Sequence, residues 1–588
     1  MTSDEPTSRG QLKRQRAAEA RDRKRQAALD AHDRGTRRRD HITAGLAGAG
    51  VVVVLAVAVT AGTLAAPQSP QVDGTAAPAS LKAAEAQGVC PGPPRLPAGA
   101  TEGADTEFSP VSTSASAKLD SVLLSDLAGR FPGSTLRQLT ADPNGGSGAD
   151  VEELTDSLPQ DVQQGEPAAA GEDGVPVREA FSETIDAPGG DDGQASVVAV
   201  EPIGGQAAPA DTVSVYSAAD GDLAGLDVSS CVTPAHEQWL SGINTSVGST
   251  AVLVLSNPSA SASTVDLSLY GAEGPVDAAG TSGIVLAPGQ TQSFVLGGMA
   301  PDEDHLAVRV SAQGGAVGAT VQQHRLFGIT PGGVEIIQPT SAPSRTAVMP
   351  GLVVPTPEGT EKIVSQDGYE EAGPAVSIAA PGSALGSGSS ADAGSGTGAE
   401  VTAEVSVNGP DGPVELPDGG VVTLKSGSTV RYPLEGLDRA NYTVTVTADA
   451  PVVASGQGLS GQAGKSIDVS NVPAVGAFGL ERLVARPTGV TSKFVLYSSA
   501  GGSAELTPVY ADGSLGEKTV QEIGPEQSQT VDMDGLGDED HEVVGVLLDT
   551  VEGQVHAGVA VRTSEGISTY PVVPQTQQSS GLPVRVGY

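Results

Sequence analysis

The residues best suited to chemistry in this 588-residue chain are two cysteines, seven histidines, one tryptophan and several dense acidic turns. Cys90 and Cys231 are the whole thiol complement. In an oxidising compartment such a pair reads as a disulfide, and two cysteines without nearby histidines are too few for a zinc site. The bridge would close a loop of about 140 residues, worth roughly 5 kcal/mol in the chain-entropy model. Each cysteine flanks a rigid Pro- or Trp-bearing segment. Losing the bridge is expected to loosen the region from Cys90 to Trp239 and leave the second and third repeats folded, because each later repeat carries its own alternating apolar strands.

His305 and His541 occupy matching places in two repeats, beside Asp302–Glu303–Asp304 and Asp538–Glu539–Asp540, while a third repeat has Asn441 there. Histidine suits metal binding or proton transfer, but the substitution by Asn favours a polar turn residue. Asp532, Asp534, Asp538 and Asp540 form an oxygen-rich cluster that makes a weak calcium candidate. It lacks the spaced ligands and closing glutamate of the hand motif. Trp239 reads as a core plug over the disulfide, because a lone Trp buries a large area. The alternative is stacking on a glycan by Trp239, Tyr270, Tyr432, Tyr442, Tyr497 and Tyr510. The chain has no nucleophile elbow, HExxH, Walker loop or dinucleotide fingerprint, so no catalytic residue and no cofactor is assigned. A hydrolase assembled across modules is the weaker alternative.

These residues are positioned first by topology. Ile42–Ala66 is a run of twenty-five uncharged residues, about 38 Å long as a helix, enough to span a bilayer core of roughly 30 Å. The tail before it holds twelve Lys/Arg against seven Asp/Glu, a net of +5; the chain after it holds twenty against sixty-four, a net of −44. The positive-inside rule places the tail in the cytoplasm and the bulk outside. The long n-region and long apolar run read as an uncleaved signal anchor rather than a cleaved signal peptide. The tail lacks aromatic residues to stack on bases, which argues against nucleic acid.

Beyond the span, period-2 alternation punctuated by Gly, Pro, Asn and Asp marks short strands. Three stretches repeat, beginning at Ile284, Val421 and Val520. Leu286, Leu424 and Ile523 end one strand, and Phe294, Tyr432 and Val531 open the next. Gly298, Gly436 and Gly535 each precede an apolar residue. The expected fold is mainly β, a single N-terminal transmembrane helix followed by tandem immunoglobulin-like β-sandwich modules. The expected organisation is a basic cytoplasmic tail over 1–41, the helix over 42–66 and a stalk with a partly mobile acidic region over 67–194. Three β modules follow over 195–345, 346–470 and 471–577, then a C-terminal tail over 578–588. Sandwiches in a row are expected; one closed, propeller-like array is the alternative. With aromatics only 3% of the chain, the cores must be built from Val, Leu, Ile and Ala.

The segments CPGPPRL, CVTPAHEQWLSG and LVLSNP followed by VDLSLYGAEGPV resemble the actinobacterial membrane-anchored secreted proteins catalogued only as a domain of unknown function (DUF5719-like). The resemblance covers most of residues 90–575. It implies an envelope-assembly accessory, since members are often encoded beside a membrane glycosyltransferase, and it carries no catalytic residue. The expected function is therefore a non-enzymatic extracytoplasmic membrane protein whose modules meet an envelope protein or polysaccharide. The alternative is a wall-polysaccharide-binding accessory to a glycosyltransferase.

A spanning helix does not depend on surface charge, so the chain should stay in the membrane fraction after a high-salt wash and keep its basic tail. N-terminal sequencing checks this; a mature chain starting near Pro67 in the medium contradicts it.

Overall fold

Alternating apolar residues in short runs fold here as antiparallel strands, two sheets to a module. The computed structural model describes residues 83–96, 111–142, 151–166, 178–187, 194–382, 399–538 and 540–574. The expected tail and span lie outside these residues. Among the described residues no helix is long and apolar enough to cross a membrane.

There are four modules, not three. The N-terminal module contains β1 (Ala86–Cys90), β2 (Ser116–Leu124), β3 (Ser134–Gln138), β4 (Val151–Thr155), β5 (Ala180–Asp186), β6 (Ser196–Val200), β7 (Ala210–Ala218) and β8 (Gly225–Ser230). Repeat one contains β9 (Glu237–Ile243), β10 (Ser249–Ser256), β11 (Ser263–Gly271), β12 (Gly274–Val276), β13 (Ile284–Leu286), β14 (Thr291–Val295), β15 (Leu306–Gly314), β16 (Gly318–Phe327) and β17 (Thr330–Ile337). Repeat two contains β18 (Ser344–Val354), the helix α1 (Pro357–Val364), β19 (Ala375–Ala379), β20 (Glu400–Gly409), β21 (Gly412–Val414), β22 (Val421–Lys425), β23 (Thr429–Pro433), β24 (Ala440–Gly461) and β25 (Ile467–Pro473). Repeat three contains β26 (Arg482–Ala485), β27 (Thr491–Ser498), β28 (Gly502–Tyr510), β29 (Thr519–Ile523), β30 (Gln527–Asp532), β31 (Val543–Glu552), β32 (His556–Arg562) and β33 (Ile567–Pro571).

One strand order recurs in all four. The N-terminal module has sheets β4-β3-β6-β1 and β5-β2-β7-β8, and repeat three has β29-β28-β31-β26 and β30-β27-β32-β33. Repeat one has β12-β11-β15-β9, with β13 also on β11, and β14-β10-β16-β17. In repeat two β24 serves both sheets: its first half pairs with β18 and β20, its second with β19 and β25. Repeats one and three turn at that crossing on Gly314 and Gly553, both at positive φ. Repeat two has Asp449-Ala450-Pro451 there and runs through as one strand. This order differs from that of immunoglobulin domains, where the second strand pairs within an ABED sheet.

The stretch read as a stalk is thus strands β1 to β5 of a full module, and β6 to β8 complete it rather than opening repeat one. The expected row of sandwiches is also replaced by a closed ring. The last strands, β8, β17, β25 and β33, meet in cyclic order. Ile336 N donates to Asp227 Oδ1 at 2.7 Å, Ile567 N to Asp468 Oδ2 at 2.7 Å and Val228 N to Ser568 Oγ at 2.9 Å. The ring closes between the two ends of the array. Val122, Val213 and Leu226 share one core with Phe494, Val546 and Tyr570. At that seam Arg482 pairs with Asp211 at 3.0 Å, and Thr488 N donates to Asp120 at 2.7 Å. The cores are built mostly of Val, Leu, Ile and Ala, with a few large residues such as Phe494, Tyr570 and Tyr442.

Two outcomes follow from this packing. Gly333 sits at φ +104°, and a methyl there would collide with Asp468. Gly333→Ala should therefore lower stability in denaturant unfolding by roughly 2–4 kcal/mol. Gly297→Ala, with open space around it, should change it by less than about 0.5 kcal/mol. Cys231→Ser should cost about 2–5 kcal/mol, and limited proteolysis should then cut repeat three as well as the N-terminal module, because they share a core. Cuts confined to residues before Trp239 would contradict the closed ring.

Candidate functional site

The heads of the four last strands share a pattern: a small residue, a branched apolar residue, then a polar one. They read Gly225-Leu226-Asp227, Gly333-Val334-Glu335, Ser466-Ile467-Asp468 and Gly566-Ile567-Ser568. Both faces of these strands are covered, so the polar residues are as buried as the apolar ones. Asp227, Glu335, Asp468 and Ser568 are each 6% exposed or less. Asp468 is the centre of the arrangement. Methyl groups at Gly333 and Gly566 would collide with its carboxylate, and one at Gly225 would stand 3.1 Å from its Oδ1. Glycine is what lets three strands of other modules close on one aspartate.

The Ile336 and Ile567 amides reach Asp227 and Asp468 across seams, while Glu335 is held within its own repeat. Asp227 accepts from Ile336 N and, at 2.6 Å, from Ser229 Oγ. Glu335 Oε1 accepts from Gln323 Nε2 at 2.8 Å, and Gln323 Oε1 accepts from Asn244 N at 2.6 Å. Arg325 Nη2 stands 3.9 Å from Glu335 Oε1. Burial pushes the Asp227 carboxyl up to about 7, helped by the Glu335 charge and opposed by Ser229 and the Ile336 amide. Burial likewise pushes Glu335 up to about 7 against the attraction of Arg325. Asp468 is raised well above the carboxylate range by burial, with the Ile567 amide opposing. Such carboxyls have the character of general acids or bases. The cavity beside Arg325 and Glu335 is about 10 Å³, however, room for one water molecule. The arrangement joins modules.

Cys90 and Cys231 form a disulfide with Cα atoms 4.0 Å apart. It ties the end of β1 to the residue after β8, the two limits of the N-terminal module. Trp239 is not over this bridge. It stacks on Tyr270 with centroids 5.7 Å apart and packs with Ala307 of its own repeat and Ala379 and Val453 of repeat two. Its place in the first strand of repeat one turns it toward the next module. The glycan-stacking set is corrected on burial: Trp239, Tyr270, Tyr432, Tyr442 and Tyr497 are all buried. The Tyr432 hydroxyl donates to Asp418, and the Tyr442 hydroxyl to the Asp438 carbonyl at 2.9 Å. Tyr510 is half-buried against the His541 ring.

The weak calcium candidate is also corrected. Among the described residues no three His, Cys, Asp or Glu side chains converge on a metal position. Asp534 pairs with Arg486 at 2.5 Å, and Asp532 accepts from Asp534 N at 3.1 Å. Asp538 accepts from Asp540 N and His541 N, each at 2.9 Å, so the turn's own amides occupy it. His305 contacts Asp304, and His541 Nδ1 lies 2.8 Å from Asp538. Both histidines are turn residues. The hub carboxyls lie in the last strands of their modules, outside the repeated stretches beginning at Ile284, Val421 and Val520, and their signal in the sequence is the recurring small-apolar-polar head.

Residues 187–534 match the model of a family of unknown function, DUF5719. The chain belongs to this family. No curated protein matches it. The stretch matching DUF5719 includes Asp227, Glu335 and Asp468, while Cys90 and the fourth hub strand lie outside it.

A pH dependence follows. Folded Asp227 holds its proton up to about pH 7, and the unfolded side chain releases it near 3.8. Its contribution is full below about pH 4 and is lost as pH rises to about 7. Asp227→Asn keeps the acceptor for Ile336 and never ionises. Relative to the parent it should gain roughly 2–4 kcal/mol in unfolding free energy between pH 4 and 8. A pH-independent difference would show that Asp227 does not change charge there.

Proposed function

We propose that this is a non-enzymatic, membrane-anchored extracytoplasmic protein of the cell envelope, whose ring of β modules serves as a rigid interaction platform. A helix over residues 42–66 anchors it in the bilayer, and the basic tail stays in the cytoplasm. The observation that carries the reading is where the polar and aromatic groups are used. The three hub carboxyls and five of the six aromatics considered for ligand binding are buried, and Tyr510 is half-buried. The remaining surface is loops and acidic turns on a rigid frame, suited to protein contacts rather than to catalysis. The chain after residue 66 carries a net charge of −44, which favours a partner with basic outer loops. The resemblance to proteins encoded beside membrane glycosyltransferases makes an envelope-assembly enzyme the natural partner. Glycan binding gains no support from the buried aromatics.

Photo-crosslinking from exposed loop positions in intact cells tests this. Placing the crosslinker at Val247 or Ile329, both strongly exposed, should capture a membrane-embedded assembly protein at the outer face. Capture of wall polysaccharide alone, or hydrolysis of wall material by the purified chain, would overturn the reading.

A further inference from the structure

At the seam between repeats one and two, Arg325 and Glu335 face each other without touching. Their nearest nitrogen and oxygen are 3.9 Å apart, beyond hydrogen-bond range, although both side chains are buried. Arg325 Nε and Glu335 Oε2 have no hydrogen-bond partner in the protein, and neither have Ser455 Oγ, Ser470 Oγ and Asn471 Oδ1. All five side chains line one cavity of about 10 Å³. The space depends on Gly242, where a methyl would come within 2.6 Å of Ser455 Oγ and 2.7 Å of Asn471 Nδ2.

We propose that this cavity is a built-in site for a single water molecule that bridges Arg325 to Glu335 and to repeat two. The volume has room for about one water. The chemistry selects a neutral molecule that both donates and accepts. Arg325 Nε only donates, Glu335 and Asn471 Oδ1 offer acceptors, and the two serine hydroxyls adapt to either role. A cation would meet the Arg325 guanidinium, and an anion would meet the Glu335 carboxylate; water is opposed by neither. One water makes two to four hydrogen bonds, so ordering it matches most of these five atoms and is far more favourable than leaving them all unpaired. Water thus adds to the direct contact the two repeats make there, where Asn471 Nδ2 donates to the Ser241 carbonyl at 3.0 Å.

The test is magnetic relaxation dispersion of isotopically labelled water on the full-length protein in detergent, which counts long-lived internal waters. Ser455→Val places a methyl in the cavity and should remove one such water from the count. Should that variant fail to fold by circular dichroism, Ser455→Thr adds the methyl while keeping the hydroxyl, with the same expected loss. An unchanged count in a folded variant overturns the proposal. A melting temperature that rises with sodium or potassium in the parent, but not in the variant, also overturns it by showing a cation in the site. Equal melting temperatures across these salts, together with the loss of one water, support it.

Discussion

Strands from three other modules close on the carboxylate of Asp468, and the closed array depends on that approach. Gly333 and Gly566 leave no room for a side chain beside it, and Gly225 little more. The aspartate accepts from the Ile567 amide of repeat three while lying against strands of repeat one and the N-terminal module. A larger residue at any of the three glycines pushes one module outward. Since each last strand touches two neighbours, displacement of one opens two seams. The hub therefore converts four similar sandwiches into one body.

Composition explains why closure matters. A core of Val, Leu, Ile and Ala buries less area per residue than one rich in aromatics, so each sandwich alone has a modest margin. Some of the few large side chains serve two modules at once. Trp239 and Tyr270 stack at the seam of repeats one and two, and Tyr570 lies in the core shared by repeat three and the N-terminal module. The Tyr570 hydroxyl also donates to the Ala485 carbonyl at 2.8 Å. The disulfide secures the N-terminal module at both limits. That module closes the ring against repeat three, so the bridge acts on the whole array. The buried carboxyls oppose this stability as they ionise, which is the energetic burden of a polar hub.

Much of this was legible in the chain. Alternation in AVLVLSNP and TVDLSLYG marked paired strands, and the cysteine count marked the bridge. The matched positions Leu286, Leu424 and Ile523 marked a common topology. The N-terminal module was hidden because its strands are short and separated by acidic, Gly-rich connections, so composition spoke for a stalk while Leu119, Val122 and Val198 were already core residues. Ring closure was hidden for a different reason. It rests on contacts between Val122 and Gly545, or Asp120 and Thr488, more than 360 residues apart, and periodicity records only which face of a strand is covered. The burial of Tyr432 and Tyr497 was likewise beyond a reading that assigns one covered face per strand. The family match adds membership without chemistry.

Closure is the central claim, and amide hydrogen exchange measures it most directly. If four modules form one cooperative body, the hub amides of Ile336, Ile567 and Val228 should exchange together, among the slowest in the chain, at the free energy of global unfolding. Interior amides of all four modules should share that rate. Hub amides that exchange fast while each module keeps its own slow interior would show independent sandwiches, and would contradict the account.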